Sequence, residues 1–247
     1  MVNAQEWLDQ NYPKEGTCIR KTNDEMEESK GWNNFGKTRR EITKLNINWW
    51  DIESFLKGAL DLTGFSNLKE FYCFGNQLTN LDLSKNVNLS VLSCPNNQLI
   101  SVDFLSKLPY PEKLETLVIS DNNIQPTTLD FLKPFVNLKD CKLGENILKD
   151  AAELKLRLEK GTYNKFSGSL EPIKNLTKLE EFCIAGTDVE EGLEYIPSKI
   201  VELSAQAAKK GEDPRQLNLI DCHPLREDAK VSKIQDQLRP FNYDLEA

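Results

Sequence analysis

Apolar residues recur in this chain on a template of eleven positions, with apolar side chains at positions 1, 4, 6 and 11 and asparagine at position 9. Three consecutive copies carry it: Leu68, Phe71, Cys73, Asn76 and Leu78; Leu89, Leu92, Cys94, Asn97 and Leu99; Leu114, Leu117, Ile119, Asn122 and Ile124. Their starts lie 21 and then 25 residues apart. Positions 4 and 6 alternate with polar neighbours, the period of a short strand with one face buried. Positions 1 and 11 bury on the same side, so each copy predicts a coil whose apolar side chains point inwards. One coil cannot enclose its own core, whereas stacked coils can, each touching only its neighbours. The position-9 asparagine leaves the strand at a turn. There a buried amide can satisfy backbone N–H and C=O groups of its own and the adjacent coil.

These anchors match L-x-x-L-x-L-x-x-N-x-L, and on them the chain resembles the leucine-rich repeat, whose period runs between about 20 and 29 residues. The resemblance implies an α/β solenoid, a short curved horseshoe with a parallel β-sheet on its concave face. Its outer wall would mix short strands, 3-10 turns and helix, with helical caps at both ends. Ile42, Leu45, Ile47 and Ile52 read as a degenerate first copy, with Trp50 in the asparagine slot. Leu138, Cys141, Leu143, Asn146 and Leu148 read as a fifth, and Leu179, Phe182, Ile184, Thr187 and Val189 as a sixth, with threonine replacing asparagine. Ile200 and Leu203 read as the start of a seventh strand. The 41-residue step from Leu138 to Leu179 demands an insertion, placed as a helix at 149–163. Ala151, Leu154 and Leu158 fall there at helical spacing ahead of Gly161.

Around the copies, the organisation reads as an N-terminal helix and capping loop (1–41), the repeats (42–205) and a C-terminal cap (206–247) with a helix near 226–238. Asn3 and Glu6 suit a capping box for a first helix ending near Asn11. Residues 14–40 read as a loop wrapping the first coil, anchored by Trp32 and Phe35. Leu56 to Leu62 and Leu78 to Leu83 read as extended outer wall, and the apolar residues after Ser101 and Gln125 as short helical or 3-10 turns. Phe166-Ser-Gly-Ser-Leu170 echoes Leu56-Lys-Gly-Ala-Leu60. The stretches Asn3 to Asp9, Gly168 to Leu170 and Gly186 to Asp188 also resemble the large leucine-rich-repeat families of soil (mycorrhizal) fungi. In those families such arrays accompany signalling modules, kinase domains among them.

Composition narrows the chemistry. The 247 residues are 39% apolar and 28% charged, ordinary for a soluble folded protein. A net charge of −8 offers no general phosphate-binding surface, so no nucleic-acid partner is expected. No apolar run is long enough to span a membrane, and the start lacks the basic and apolar regions of a secretory signal. Cys73, Cys94 and Cys141 occupy core slots, where a thiol acts as a small hydrophobe, and no C-x-x-C pair exists. Buried thiols suit a reducing compartment, so the expected location is cytoplasmic. The chain's one histidine, His223, stands beside Pro224 with Cys222 next to it, no arrangement for a nucleophile and its base. No phosphate-binding, dinucleotide, zinc-protease or calcium-loop motif occurs. No catalysis, cofactor or metal is expected.

What the pattern does expect is a binding surface. Positions 2, 3, 5, 7 and 8 point out of the inner sheet, bringing Trp49, Tyr72 and Phe74 together near one end, with Val91 and Val118 beyond. Asp140, Lys142, Glu145 and Glu181 would make a charged, mainly acidic half. The expected function is a monomeric, non-catalytic recognition module holding a protein or peptide on the concave face. The alternatives are a regulatory or targeting domain of a larger signalling enzyme, such as a kinase or ubiquitin ligase, or a secreted recognition protein. A competing arrangement folds the N-terminal segment over the aromatics and buries them.

Overall fold

Buried backbone groups at a turn need partners, and the position-9 asparagines supply them. The computed structural model describes residues 1–21, 32–52, 54–144, 156–157, 159–210 and 217–218. They fall into two compact units, Met1–Asn123 and Ile124–Ala247.

The first unit runs β1 (Val2–Asn3), α1 (Ala4–Asn11), β2 (Lys44–Asn46), α2 (Trp49–Ile52), β3 (Leu56–Asp61), β4 (Glu70–Tyr72), β5 (Gln77–Asp82), β6 (Val91–Ser93) and β7 (Thr116–Val118). Strands β2, β4, β6 and β7 form a parallel sheet in which Leu45, Phe71, Leu92 and Leu117, all position 4, stand in one register row and are fully buried. Strands β1, β3 and β5 form a second parallel sheet, which closes the first two coils with extended chain. In the third coil that wall gives way to 3-10 turns at Leu105–Lys107 and Pro111–Lys113, over buried Phe104 and Leu105.

The asparagine ladder fixes the register. Asn76 donates from Nδ2 to the carbonyls of Ile47 (2.8 Å) and Cys73 (3.3 Å), and its Oδ1 accepts from the Leu56 amide (2.9 Å). Asn97 repeats this with Cys73 (2.9 Å), Cys94 (3.3 Å) and the Leu78 amide (3.0 Å). Asn122 does so with Cys94 (3.0 Å), Ile119 (3.0 Å) and the Leu99 amide (2.9 Å). Position 11 of a coil is therefore the residue whose N–H reaches the next asparagine. By that criterion the first coil ends on Leu56, not Ile52. The one-turn helix α2 lengthens the turn by four residues, and Leu56 is fully buried where Ile52 is half-buried.

At the N-terminus, Asn3 caps α1 by accepting from the Glu6 amide (3.0 Å), and Ala4 and Leu8 face the core. The outer edge of β2 would present bare carbonyls. Asn34 Nδ2 donates to Lys44 O (2.8 Å) and Arg20 Nη1 to Asn46 O (3.2 Å), so side chains of the N-terminal segment close that edge. Phe35 is not an anchor: it is 51% exposed, beside the turn at Gly36. Cys18, Asn34 and Arg39 are buried instead. The Arg39 guanidinium is tolerated there because Nε donates to Tyr12 O (2.7 Å), Nη2 meets the Asp9 carboxylate, and the group lies 5.2 Å from the Phe65 ring centre.

The second unit holds β8 (Asp140–Lys142), β9 (Ser167–Ser169), β10 (Glu181–Cys183), β11 (Asp188–Glu191), α3 (Ser198–Lys210) and β12 (Leu217–Asn218). Strands β8, β10 and β12 are parallel, with Cys141, Phe182 and Leu217 in one row. Strand β9 pairs with β11, as β3 pairs with β5, so the echoed Gly-containing segments occupy equivalent places. Here Asn164 does what Asn146 was expected to do. Its Nδ2 donates to Leu143 O (2.7 Å) and its Oδ1 accepts from the Ile124 amide (3.0 Å). The Lys165 amide donates to Ile124 O as Gln98 does to Leu78 and Asn123 to Leu99. The insertion therefore splits the fifth repeat between positions 6 and 9 rather than following it, and fully buried Phe166 takes the slot expected for Leu148. Asn146, Leu148 and most of 149–163 lie outside the described residues, as does the cap helix expected at 226–238. Residues 156, 157, 159 and 160 are helical.

In the sixth repeat Thr187 Oγ1 donates to Ile184 O (2.7 Å), a one-armed substitute for asparagine. The seventh strand expected at Ile200 is instead the helix α3. The spacing of Ile200 and Leu203 serves a helix as well as a coil, and the alanines and lysines of 205–210 favour helix. A strand beside β10 is supplied by Leu217–Asn218. Both units therefore show short parallel strands joined by coils with few helices, consistent with the fold that the repeat resemblance implies.

Candidate recognition surface

Residues at positions 3 and 5 flank each buried position 4, so they lie on the sheet face away from the core. In the first unit they form two rows, Lys44–Glu70–Val91–Thr116 and Asn46–Tyr72–Ser93–Val118. Val91, Ser93, Thr116 and Val118 are half-buried. Asn46 is buried, and its carbonyl accepts from Arg20. The Tyr72 hydroxyl donates to Glu70 (3.1 Å), which also pairs with Lys44 (2.8 Å). Burial, with the Glu70 carboxylate beside it, pushes the Tyr72 hydroxyl up to about 12. The Trp32 ring stands 5.9 Å from that of Tyr72, so the N-terminal segment does flank this tyrosine.

Trp49 and Phe74 are elsewhere. They belong to a run of ring contacts, Phe55 to Trp49 (5.6 Å, stacked at 15°), Trp49 to Trp50 (6.1 Å, edge-on) and Trp50 to Phe74 (4.8 Å). Trp49, Trp50 and Phe55 expose 41%, 52% and 45% of their surface, and Phe74 is half-buried. The cluster is held from beneath. Asn46 Oδ1 accepts from the Asn48 amide (3.0 Å), Asn48 Oδ1 from the Phe74 amide (2.6 Å), and Phe74 O from the Trp49 amide (3.1 Å). Gly75, at φ +72°, lies against the indole: a Cβ there would come within 2.0 Å of Trp49 Cδ1. Of the expected trio, then, Trp49 and Phe74 belong to one cluster, joined through Trp50, while Tyr72 contacts Trp32. Trp50 and Phe55 were missed. The signal available for them was three aromatics within Trp49–Phe55 that fit no repeat period.

In the second unit Asp140 lies beside Glu181 across β8 and β10, and Lys142 bridges them, 3.3 Å from Asp140 and 2.6 Å from Glu181. Burial pushes the Asp140 carboxyl up despite Lys142; the Lys142 ammonium is also raised, its burial outweighed by Glu181 and Asp140. Cys183, at outward position 5 of the sixth repeat, is buried. Glu145 and His223 lie outside the described residues. Cys18, Cys73, Cys94, Cys141 and Cys183 are buried thiols. Among the described residues no group of three or more His, Cys, Asp or Glu side chains could hold a metal, and no helix is long and apolar enough to cross a membrane.

No protein-family model and no curated protein matches the chain. Among solved structures it is similar to an internalin C2 from Listeria monocytogenes, at 19% identity and a TM-score of 0.42, over 64% of this chain and 59% of that one. It is similar to a second internalin of that bacterium, inlF, at 18% identity and a TM-score of 0.41, over 65% of this chain and 37% of that one. The chain thus spans under two thirds of either neighbour. Both are partial, low-identity likenesses of bacterial proteins, and they add nothing to the fungal resemblance.

Proposed function

We propose that this chain is a non-catalytic recognition module that holds a protein or peptide on the concave, outward face of its repeat strands. The observation that carries the reading is the exposed, preorganised run Phe55–Trp49–Trp50–Phe74 beside the half-buried rows of β4, β6 and β7. Aromatics clustered on a rigid surface are favoured anchors for partner proteins. Outward positions such as Val91, Ser93, Thr116 and Val118 are outside the buried rows and the asparagine ladder, so they can vary with the partner. Buried thiols favour a cytoplasmic site of action, and the negative charge a partner other than nucleic acid. The module acts as a monomer in this reading.

A photocrosslinking amino acid tests the reading. Placed at Ser93 or Thr116 on the outward face, benzoylphenylalanine should give a defined protein adduct in cells; placed at Lys57 or Lys85, it should not. Adducts from Lys57 or Lys85 alone would put recognition on the outer wall and overturn the proposal.

A further inference from the structure

Elsewhere in the described chain, several aromatic rings lie under one of the chain's own cations. Arg39 lies over Phe65 (5.2 Å), Arg20 over Trp7 (5.8 Å) and Lys113 over Tyr110 (4.6 Å). Among the described residues no lysine or arginine lies over Trp49, Trp50, Phe55 or Phe74. The stretch Trp49–Phe55 contains two acidic residues, Asp51 and Glu53, and no basic one, in a chain whose net charge is −8. A ring face carries negative quadrupole charge and attracts a cation most strongly when the cation's charge is otherwise unsatisfied nearby. Four ring faces with no described cation over them, three of them on an acidic stretch of an acidic protein, complement a cationic side chain delivered from outside.

We propose that the cluster binds a basic segment of a partner protein, seating an arginine or lysine side chain on Trp50 and Phe55. This rests on the recognition reading above and names its chemistry. The planar guanidinium of arginine suits the site better than lysine, because it can stack flat on one indole while its edge keeps hydrogen-bond donors free. The floor of the site is rigid: the Asn46–Asn48–Phe74 chain of hydrogen bonds and the Gly75–Trp49 contact hold the indole in place before any partner arrives. Trp50 and Phe55 pack on this floor through Phe74 and Trp49, so part of the ordering that would oppose binding is already in place.

The test is a fluorescence-anisotropy titration of the intact protein with a fluorescein-labelled peptide of alternating glycine and arginine. The same peptide with citrulline, its uncharged isostere, is the comparison. Both are run at about 0.15 M salt, where diffuse charge attraction is screened. The arginine peptide should bind at least about ten-fold more tightly than the citrulline peptide. Trp50→Ala/Phe55→Ala should reduce it to the citrulline level, and Trp50→Leu, which keeps the apolar bulk but removes the ring, should weaken it about five-fold. Circular dichroism and the melting temperature report whether each variant is folded. Equal binding of the two peptides would overturn the cation inference and leave protein recognition standing, which the Ser93 crosslink decides separately. Unchanged binding in Trp50→Leu, or no binding of the arginine peptide, would also overturn it.

Discussion

Asn164→Ala is the sharpest probe of how this chain counts its own repeats. The side chain is fully buried, with Nδ2 on Leu143 O at 2.7 Å and Oδ1 on the Ile124 amide at 3.0 Å. Alanine leaves one buried donor and one buried acceptor without these partners, each costing roughly 1–3 kcal/mol. The carbonyl's second lone pair softens its share, so about 2–4 kcal/mol in total is expected. For a chain of this length each kcal/mol lowers the melting temperature by about 2–4 °C, which places the fall at roughly 4–16 °C. Asn164→Asp is no rescue: it keeps the acceptor for Ile124 but turns an oxygen towards the Leu143 carbonyl. Calorimetry gives the melting shift, and hydrogen exchange at the Ile124 amide should accelerate under native conditions. Asn146→Ala, at the asparagine that the unbroken period selects, should leave both readings unchanged. If Asn146→Ala were damaging and Asn164→Ala silent, the split-repeat register would be wrong.

Three further outcomes follow from the first unit. Leu92→Ala removes a fully buried position-4 side chain between Phe71 and Leu117 and should cost about 2–5 kcal/mol by equilibrium denaturation; less than 1 kcal/mol would contradict the packed row. Gly75→Ala adds a Cβ within 2.0 Å of the Trp49 ring at φ +72°. It should cost at least about 1–2 kcal/mol and shift the tryptophan emission as the indole is displaced, whereas an unaltered spectrum would refute the contact. Tyr72 is held neutral in the fold, its hydroxyl raised to about 12 by burial and by Glu70. Since the folded value exceeds the unfolded value of about 10, its contribution to stability is complete below about pH 10 and is lost as the pH rises through about 12. The Tyr163 hydroxyl is also raised to about 12, so tyrosinate absorbance should show the late titration smaller by one tyrosine in Tyr72→Phe.

The inner strands were legible because one physical demand repeats in sequence. A strand with one buried face must alternate, and a turn stacked on another turn must offer donors and an acceptor, so Leu, Leu and Asn recur at fixed offsets. Leu45, Phe71, Leu92 and Leu117 consequently sit in the row that their spacing implied. The departures occur where chain length changes inside a coil. The helix Trp49–Ile52 and the residues added after Gly144 both fall, in sequence, between positions 6 and 11. A loop inserted there disturbs neither the strand before it nor the ladder after it, provided that some asparagine returns to the same place. Fixed spacing sees Asn146 at that point; three-dimensional closure selects Asn164.

The candidate site was half legible for the same reason. Trp49 and Phe74 follow strands whose register was readable, so their positions could be counted. Trp50 and Phe55 lie on and just after α2, where counting fails; Trp50 was assigned to the asparagine slot, although an indole ring can accept nothing from a buried amide. The mismatch was itself informative. A terminal coil has no preceding neighbour to cross-link, so its position-9 residue is released from the ladder and the turn can lengthen into a helix. Aromatic side chains placed on such a turn are neither core nor ladder. Left exposed, they cost solvation unless a partner covers them, which makes the departure from the repeat the feature that most strongly argues for recognition at this end of the chain.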